Sequence, residues 1–215
     1  MILTSTFPVK HVEPPAWVSA PMARWFLHGL VYRRFVGDLA AGVPPGATLL
    51  DVGAGPGYLL EALARKRPDL QALGLDIDYG MLRRGPASKQ FTPVVGDAQA
   101  LPFRAGAFHQ VLATFSLHIW PHKAAGLREI LRVLRPGGGV WLYEMQREAP
   151  AAALRAFARD LGLPSFLVYP AFKVLSWGHA LTAAELTAII REARGTRWRL
   201  STAHHVFWRV QLEKG

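Results

Sequence analysis

Residues 49–64 read LLDVGAGPGYLLEALA and decide the fold. A short apolar run from Thr48 to Val52 predicts a buried strand, and the apolar pattern from Tyr58 to Arg65 predicts a helix. Between them lies a turn rich in glycine, which lets a ligand approach the backbone closely and exposes the first N–H groups of the helix. The stretch therefore predicts a ligand-binding turn at the carboxyl end of a strand.

The spacing of the glycines indicates the kind of ligand. A dinucleotide-binding turn needs Gly-x-Gly-x-x-Gly, and Tyr58 stands where its last glycine would be. Here Gly53, Gly55 and Gly57 occupy alternate positions, and Asp51 precedes them. A dinucleotide presents a pyrophosphate to such a turn, whereas a carboxylate at the end of the strand suits a cationic amine.

Two further carboxylates follow the next two predicted strands. Asp76 comes nineteen residues after Gly57, a spacing that suits hydrogen bonds to both hydroxyls of a ribose. Asp97 follows the third strand, where it would accept a hydrogen bond from an exocyclic amine. Because the carboxyl ends of parallel strands meet at one crevice, the three acids predict a ligand with an amine, a ribose and an adenine but no phosphate. S-adenosylmethionine is such a ligand.

The rest of the chain alternates short apolar strands with helices, which predicts an α/β fold with a mostly parallel sheet covered on both faces. The last two strands, Trp198–Leu200 and Val206–Leu212, predict a closing antiparallel hairpin and bring the sheet to seven strands. The residues after 161 are predicted as an aromatic-rich loop. The other predicted elements are strands at 72–75, 93–95, 111–115 and 140–145 and helices at 81–84, 122–134, 151–161 and 182–192, the last with a capping box at Thr182 and Glu185.

We expect one domain across residues 1–215. Residues 1–45 are expected to form an N-terminal arm and a lid helix, residues 46–147 the cofactor-binding core, and residues 148–215 a substrate cover and the closing strands. The helical spacing of apolar residues in 22–40 fits either a lid or an interface. Aromatic residues concentrate in that segment and in the cover, which predicts an apolar substrate pocket between them.

The chain resembles the class I S-adenosylmethionine-dependent methyltransferases, in the branch similar to ubiquinone/menaquinone C-methyltransferases and other small-molecule enzymes. The resemblance covers residues 45–147. It is carried by the first stretch together with GLDIDYGML (74–82), VVGDAQALPFRAGAFHQVLATFSLHIW (94–120) and EILRVLRPGGGVWLYE (129–144). It implies a Rossmann-like fold, S-adenosyl-L-methionine as the cofactor, and methyl transfer to an acceptor by in-line displacement.

The resemblance also implies which residues bind the cofactor. The first loop and the residues after the fourth strand would hold the methionine part, the second loop the ribose, and the third loop the adenine. The expected residues are Asp51, Gly53, Ala54, Gly55, Gly57, Asp76, Ile77, Met81, Asp97, Ala98, Phe115 and Ser116. One departure is His109, which stands where the family usually has Asp. That position starts the fourth strand on the side away from the cofactor, so the change concerns folding more than binding.

Composition excludes several other classes of protein. With 51% hydrophobic and 19% charged residues, the chain is not disordered throughout. It contains no run of eighteen apolar residues that would predict a membrane span. There is no cysteine, which excludes disulfides, thiolate metal sites and a cysteine nucleophile, and no metal site is expected. The N-terminus lacks the pattern of a secretory signal. The absence of cysteine fits a cytoplasmic protein, which we expect.

The net charge of +10 invites a nucleic-acid partner, but the basic residues are dispersed and form no run of five. Enzymes that methylate base amines commonly place an Asn/Asp-Pro-Pro-aromatic run after the fourth strand, to hold a flipped-out amine. Here residues 114–117 read TFSL, which contains no Asn, Asp or Pro. We therefore expect a small, largely apolar acceptor. The alternatives are an RNA or protein methyltransferase, or an S-adenosylmethionine-binding module without catalysis.

His118 is the candidate catalytic side chain. It follows the fourth strand, beside the expected position of the methyl group, where a histidine acts as a general base, orients a substrate, or pins the loop by hydrogen bonding. Tyr143 and Glu144 end the fifth strand, and the sequence does not decide which of them faces the crevice. Asp78 is expected to cap a helix and not to bind the ligand.

Overall fold

The computed structural model describes residues 31–85, 90–176, 180–195 and 197–215. The predicted arm at 1–20, and the predicted lid helix as far as residue 30, lie outside the described residues. The described helices are α1 (Tyr32–Gly42), α2 (Tyr58–Lys66), α3 (Tyr79–Arg83), α4 (Lys123–Val133), α5 (Ala151–Leu161), α6 (Ser165–Ser176) and α7 (Ala183–Glu192). The strands are β1 (Thr48–Val52), β2 (Gln71–Asp76), β3 (Thr92–Val95), β4 (Phe108–Thr114), β5 (Leu134–Met145), β6 (Arg197–Ala203) and β7 (Phe207–Glu213).

The seven strands form one sheet in the order β3-β2-β1-β4-β5-β7-β6. The first five strands are parallel, whereas β7 runs antiparallel between β5 and β6. This confirms the predicted α/β, Rossmann-like sheet with a C-terminal antiparallel hairpin. The order reverses its direction at β1 and β4, which is the point where open α/β sheets form their ligand crevice.

Successive residues of β1 enter two different cores, because side chains on a strand alternate between the faces of the sheet. Leu49 belongs to a cluster covered by α1, α2, α5 and α6. Leu50 and Val52 belong to a second cluster covered by α4 and α7. All three side chains are fully buried, and each contributes about 2 kcal/mol through the hydrophobic effect. Burial on both faces fixes the register of β1 and so the place where its loop begins.

The segment after α5 differs from the prediction. An aromatic-rich loop was expected there, but the structure has a twelve-residue helix, α6, with Pro170 inside it. Val168 and Phe172 lie one turn apart and are 2% and 1% exposed, so tertiary packing of this face stabilises the helix in spite of the proline. No helix among the described residues is long and apolar enough to cross a membrane.

His109 contacts the first residue of β1. Its Nδ1 atom accepts a hydrogen bond from the backbone N–H of Thr48 at 3.1 Å and lies 2.7 Å from the Thr48 hydroxyl. Burial, and to a lesser degree the charge of Arg135, lowers the pKa of His109, which favours the neutral ring that can accept this bond. The departure from the family pattern therefore lies at the start of the strands, at the edge opposite the glycine loop.

The predicted capping box begins α7. The Thr182 hydroxyl accepts a hydrogen bond from the backbone N–H of Glu185 at 3.1 Å, and the Glu185 carboxylate accepts one from the N–H of Thr182 at 2.7 Å. Thr182→Ala should therefore lower the free energy of unfolding by about 1 kcal/mol. In thermal unfolding the Tm should fall by about 2–4 °C. Thr187→Ala, in the interior of the same helix, is the matched control, and equal Tm values for the two variants would contradict a stabilising cap.

Candidate active site

The glycine loop, residues 53–57, connects β1 to α2. Gly53, Gly55 and Gly57 have φ angles of +76°, +54° and +79°, which side-chain-bearing residues rarely adopt. A Cβ atom on Gly53 would lie 2.3 Å from Cβ of Ser116, and one on Gly57 would lie 2.0 Å from the ring of Phe91. The loop therefore needs glycine for its backbone conformation and for its close approach to the neighbouring elements.

The Asp76 carboxylate joins the glycine loop to the loop after β2. Its Oδ2 atom accepts a hydrogen bond from the N–H of Gly55 at 2.7 Å, and its Oδ1 atom accepts one from the N–H of Asp78 at 2.9 Å. The N–H groups of Gly53 and Ala54 donate to the carbonyl of Leu75 at 2.8 and 2.9 Å. The predicted methionine and ribose loops thus share one network of hydrogen bonds.

Asp51 lies beneath the loop and is 2% exposed. No described residue forms a hydrogen bond with its Oδ1 atom. Burial, followed by the charge of Asp76, raises the pKa of Asp51 to about 7. A buried carboxylate with an unsatisfied oxygen is costly, and a cationic amine is a partner that would compensate this cost. The observation fits the amine of S-adenosylmethionine.

Aromatic rings lie close to this carboxylate. The Tyr32 ring stacks on Phe115 with 6.4 Å between the centroids. Burial, and to a lesser degree the charge of Asp51, raises the pKa of the Tyr32 hydroxyl above its ordinary value. Phe115 itself has a φ of +54°, held by a hydrogen bond of 2.8 Å from its N–H to the carbonyl of Tyr143. The described part of the predicted lid therefore packs against the residue that follows β4.

The loop after β3 lies on the other side of Asp76. The N–H of Gly96 donates to the Asp76 carbonyl at 3.0 Å, and the Asp97 carboxylate accepts a hydrogen bond from the N–H of Gln99 at 2.8 Å. Ala98 is buried, whereas Ile77 is 71% exposed. An exposed isoleucine next to carboxylates is an apolar surface on which a flat ring can lie.

Two more of the expected residues adjoin the glycine loop. The Ser116 hydroxyl donates to the carbonyl of Val52 at 2.8 Å, which holds the turn after β4 against the end of β1. The Met81 side chain lies across the loop, since a Cβ atom on Gly55 would be 3.7 Å from its Cε atom. Through these contacts, the structure brings the residues of the first two loops and of the turn after β4 together at one edge of the sheet.

His118 and Glu144 form a pair at the same edge of the sheet. His118 lies in a short 3-10 turn after β4, and its Nδ1 atom is 2.9 Å from Oε2 of Glu144. The Glu144 side chain is 1% exposed and also lies 3.4 Å from the backbone N–H of His118. Tyr143 packs instead against Phe35 on the opposite face of the sheet, with 4.1 Å between the ring centroids. A carboxylate at Nδ1 fixes the orientation and tautomer of an imidazole.

The sequence leaves two residues of the site without an assigned contact. Glu144 was one of two candidates at the end of β5, and neighbouring residues on a strand differ in face, which the sequence alone could not assign. Tyr32 belongs to the aromatic lid segment that is expected to pack as a lid or to line a substrate pocket, and its approach to Asp51 depends on tertiary packing. The helix cap expected for Asp78 is confirmed, since its side chain accepts a hydrogen bond from the N–H of Gly80 at 2.7 Å.

Comparison with known proteins identifies similar sequences and folds. The family model described as a methyltransferase domain matches residues 50–142. A demethylmenaquinone methyltransferase of Renibacterium salmoninarum is 34% identical over 68% of this chain and 66% of its own length. A ubiquinone/menaquinone biosynthesis C-methyltransferase of Bordetella parapertussis is 35% identical over 68% of this chain and 55% of its own length. The chain therefore spans about half to two thirds of the length of these relatives.

The similarity of fold extends over a longer stretch than the similarity of sequence. A solved structure of an S-adenosylmethionine-dependent methyltransferase from Aquifex aeolicus superposes with a TM-score of 0.68. The superposition covers 94% of this chain and 99% of that chain at 17% sequence identity. At this identity the likeness concerns the fold, and it extends beyond the region that the family model matches.

Replacing Asp51 by asparagine should remove the cost of burying a charge. The pKa of Asp51 is about 7 in the folded chain and about 3.9 in an unfolded one, so the folded chain binds more protons between these values. Stability therefore falls as the pH rises through this window, and the cost is complete above it. Asp51→Asn should raise the Tm of the ligand-free chain by several degrees at about pH 8, and by less at about pH 5.

Asp69→Asn is the control, because it also removes one negative charge but should change the Tm in the opposite direction. Hydrogen bonds from Arg67 and from the N–H of Gly46 hold the pKa of Asp69 below its usual range. Asp69 therefore contributes stability that is present above its unfolded pKa and lost as the pH falls, so its replacement should lower the Tm at about pH 8. If Asp51→Asn melted no higher than the wild-type chain there, the carboxylate would have a partner in solution.

Proposed function

The chain belongs to the class I S-adenosylmethionine-dependent methyltransferases, and we propose that it methylates a small, largely apolar acceptor. The observation that carries the proposal is the buried carboxylate of Asp51, whose Oδ1 atom lacks a hydrogen-bonding partner among the described residues. It lies directly beneath the glycine loop and close to a cluster of aromatic rings. A cationic amine satisfies the carboxylate, and the rings offer an apolar surface to the acceptor.

In this proposal three loops hold the cofactor. Asp51 binds the amine and the glycine loop the methionine part, Asp76 the ribose hydroxyls, and Asp97 the adenine amine. Each Asp76 oxygen accepts one backbone hydrogen bond, which leaves acceptor capacity on both oxygens for the ribose. Ile77, Met81 and Ala98 supply apolar contacts. When bound, S-adenosylmethionine supplies a methyl group that is already activated on a sulfonium.

The acceptor side is aromatic. Phe115 lies between Tyr32 and Phe207, with 6.4 and 5.4 Å between the ring centroids, and Phe35 packs against the same ring at 5.7 Å. Phe35 and Phe207 are themselves buried, so the partly exposed rings of Tyr32 and Phe115 would form the surface that meets an apolar acceptor. Such a surface favours an apolar acceptor by excluding water and by stacking. The names of the two relatives describe methylation in quinone biosynthesis, which supports an acceptor with an apolar ring.

We assign His118 as the group that takes a proton from the acceptor. Glu144 occupies the Nδ1 side of the imidazole, so Nε2 is the nitrogen that takes the proton. Glu144 is then a positioning residue, and its charge stabilises the imidazolium that forms. A base is needed when the acceptor loses a proton from oxygen or carbon, and it is unnecessary for an amine that is already neutral.

The other functional classes make different predictions. An RNA or protein methyltransferase would use the positive charge of the surface, and a binding module would hold the cofactor without turnover. Incubation of the chain with labelled S-adenosylmethionine and cell extract, followed by separation of small-molecule, RNA and protein pools, distinguishes them. We expect the label in the small-molecule pool. Label mainly in RNA or protein, or no label above a no-enzyme control, would refute the proposal.

The single domain over residues 1–215 and the cytoplasmic location stay predictions.

The cofactor assignment is tested by calorimetric titration. S-adenosylhomocysteine should bind the wild-type chain and NADH should not. Asp76→Ala should weaken S-adenosylhomocysteine binding by about 2–3 kcal/mol, because charge-assisted hydrogen bonds to the ribose and the tie to Gly55 are both lost. Asp78→Ala removes the same charge two residues away and should have a much smaller effect. An unchanged dissociation constant in Asp76→Ala would mean that the ribose is bound elsewhere.

The catalytic assignment is tested with the acceptor recovered from the labelled pool. His118→Asn should lower kcat by about a hundredfold, while the affinity for S-adenosylhomocysteine stays nearly unchanged. Glu144→Gln should also lower kcat. If Glu144 acts through His118, adding Glu144→Gln to His118→Asn should cause little further loss. Full additivity of the two changes, or an unaltered kcat in His118→Asn, would leave the pair a structural role in the loop.

A further inference from the structure

In its first two turns, α6 carries large apolar side chains on both its buried side and its exposed side. Val168 and Phe172 are buried against the sheet, whereas Phe166 is 73% and Leu167 is 53% exposed. A helix that is apolar all round is normally buried in a protein core or in a membrane. Two adjacent large apolar side chains at the surface therefore call for a partner.

A groove with two arginines adjoins these side chains. Its volume is about 480 Å³, and it is lined by Ala152, Arg155, Ala158, Arg159, Leu163 and Ser165. Arg155 and Arg159 are four residues apart on α5, so their guanidinium groups lie on one face of the helix. No ion pair with an acidic side chain involves either arginine in the part of the chain that the structure describes. Ser165, which begins α6, connects the groove directly to Phe166.

This surface lies at the same edge of the sheet as the candidate active site. At the end of α5, Asp160 lies 2.9 Å from Nε2 of His205, in the turn between β6 and β7. The first residue of β7, Phe207, pairs with Met145 at the carboxyl end of β5. Phe207 also contacts the ring of Phe157 on α5, at 5.4 Å between the centroids. The groove and the start of α6 therefore lie on the same side of the molecule as the candidate active site.

We propose that Arg155, Arg159, Phe166 and Leu167 form a docking surface for the face of a bilayer that contains anionic phospholipid. The arginines bind lipid phosphates in the groove, and the two apolar side chains enter the boundary between headgroups and acyl chains. The net charge of +10 attracts the chain to a negative surface as a whole. A second copy of this chain is a poor occupant, because it carries the same charge and would place arginine against arginine.

The proposal concerns surface docking and does not depend on the identity of the acceptor. If the acceptor is apolar, as proposed above, it partitions into the bilayer, and docking at this edge places the crevice at the surface from which the acceptor emerges. Failure of docking would leave methyl transfer untouched, and failure of methyl transfer would leave docking untouched. The two proposals are therefore tested separately.

The test is co-sedimentation of the full chain with vesicles of phosphatidylcholine alone and of phosphatidylcholine with phosphatidylglycerol. We expect binding to the anionic vesicles that weakens with added salt, and much weaker binding to the neutral ones. Arg155→Ala/Arg159→Ala should reduce partitioning at least about tenfold. Phe166→Ser/Leu167→Ser should reduce it to a similar degree, because the apolar anchor is lost.

Arg104→Ala/Arg135→Ala is the matched control. Arg104 precedes β4 and Arg135 is the second residue of β5, so both lie at the opposite edge of the sheet, and both are exposed. Their loss lowers the net charge by the same amount. All variants should bind S-adenosylhomocysteine like the wild-type chain. Absence of binding to anionic vesicles would overturn the proposal. Equal losses of vesicle binding in the control and in Arg155→Ala/Arg159→Ala would also overturn it. Unchanged vesicle binding in Phe166→Ser/Leu167→Ser would contradict it, as would arginine-dependent binding to RNA without binding to vesicles.

Discussion

The carboxylate of Asp76 is the constraint on which the site depends. It accepts the N–H of Gly55 with one oxygen and the N–H of Asp78 with the other, so it connects the loops that follow β1 and β2. The glycine loop can reach this carboxylate because side chains are absent where it approaches Ser116 and Phe91. Chain connectivity and sheet order bring β1 and β2 side by side, but these two hydrogen bonds fix how their loops meet.

The sequence predicts the fold to within a few residues wherever apolar periodicity is clear. It predicts the glycine loop because positive φ angles and close approach both demand glycine, and it predicts the helix caps of Asp78 and Thr182 from local hydrogen-bonding capacity. It does not predict α6, since a proline and an aromatic-rich composition oppose a helix until Val168 and Phe172 are buried. Contacts between distant residues, such as Glu144 with His118, need the tertiary structure.

Asp51 shows that the site and the fold have opposing requirements. Its burial, followed by the charge of Asp76, raises its pKa to about 7, which means that ionising this carboxylate in the ligand-free chain costs stability. A neutral side chain of the same shape would serve the fold better. The carboxylate is useful when a cation lies against it, and then the same low-dielectric surroundings that made it costly strengthen the attraction.

A continuous set of aromatic contacts runs from the rings beside this carboxylate to buried side chains of α5 and α6. Tyr32 contacts Phe115, Phe115 contacts Phe207, and Phe207 contacts Phe157 and Phe172 beneath α5 and α6. One packed cluster therefore joins the rings beside Asp51 to the two helices α5 and α6. Because protein interiors are close-packed, the proposed docking surface on α6 and the proposed acceptor side of the crevice both depend on how this buried cluster packs.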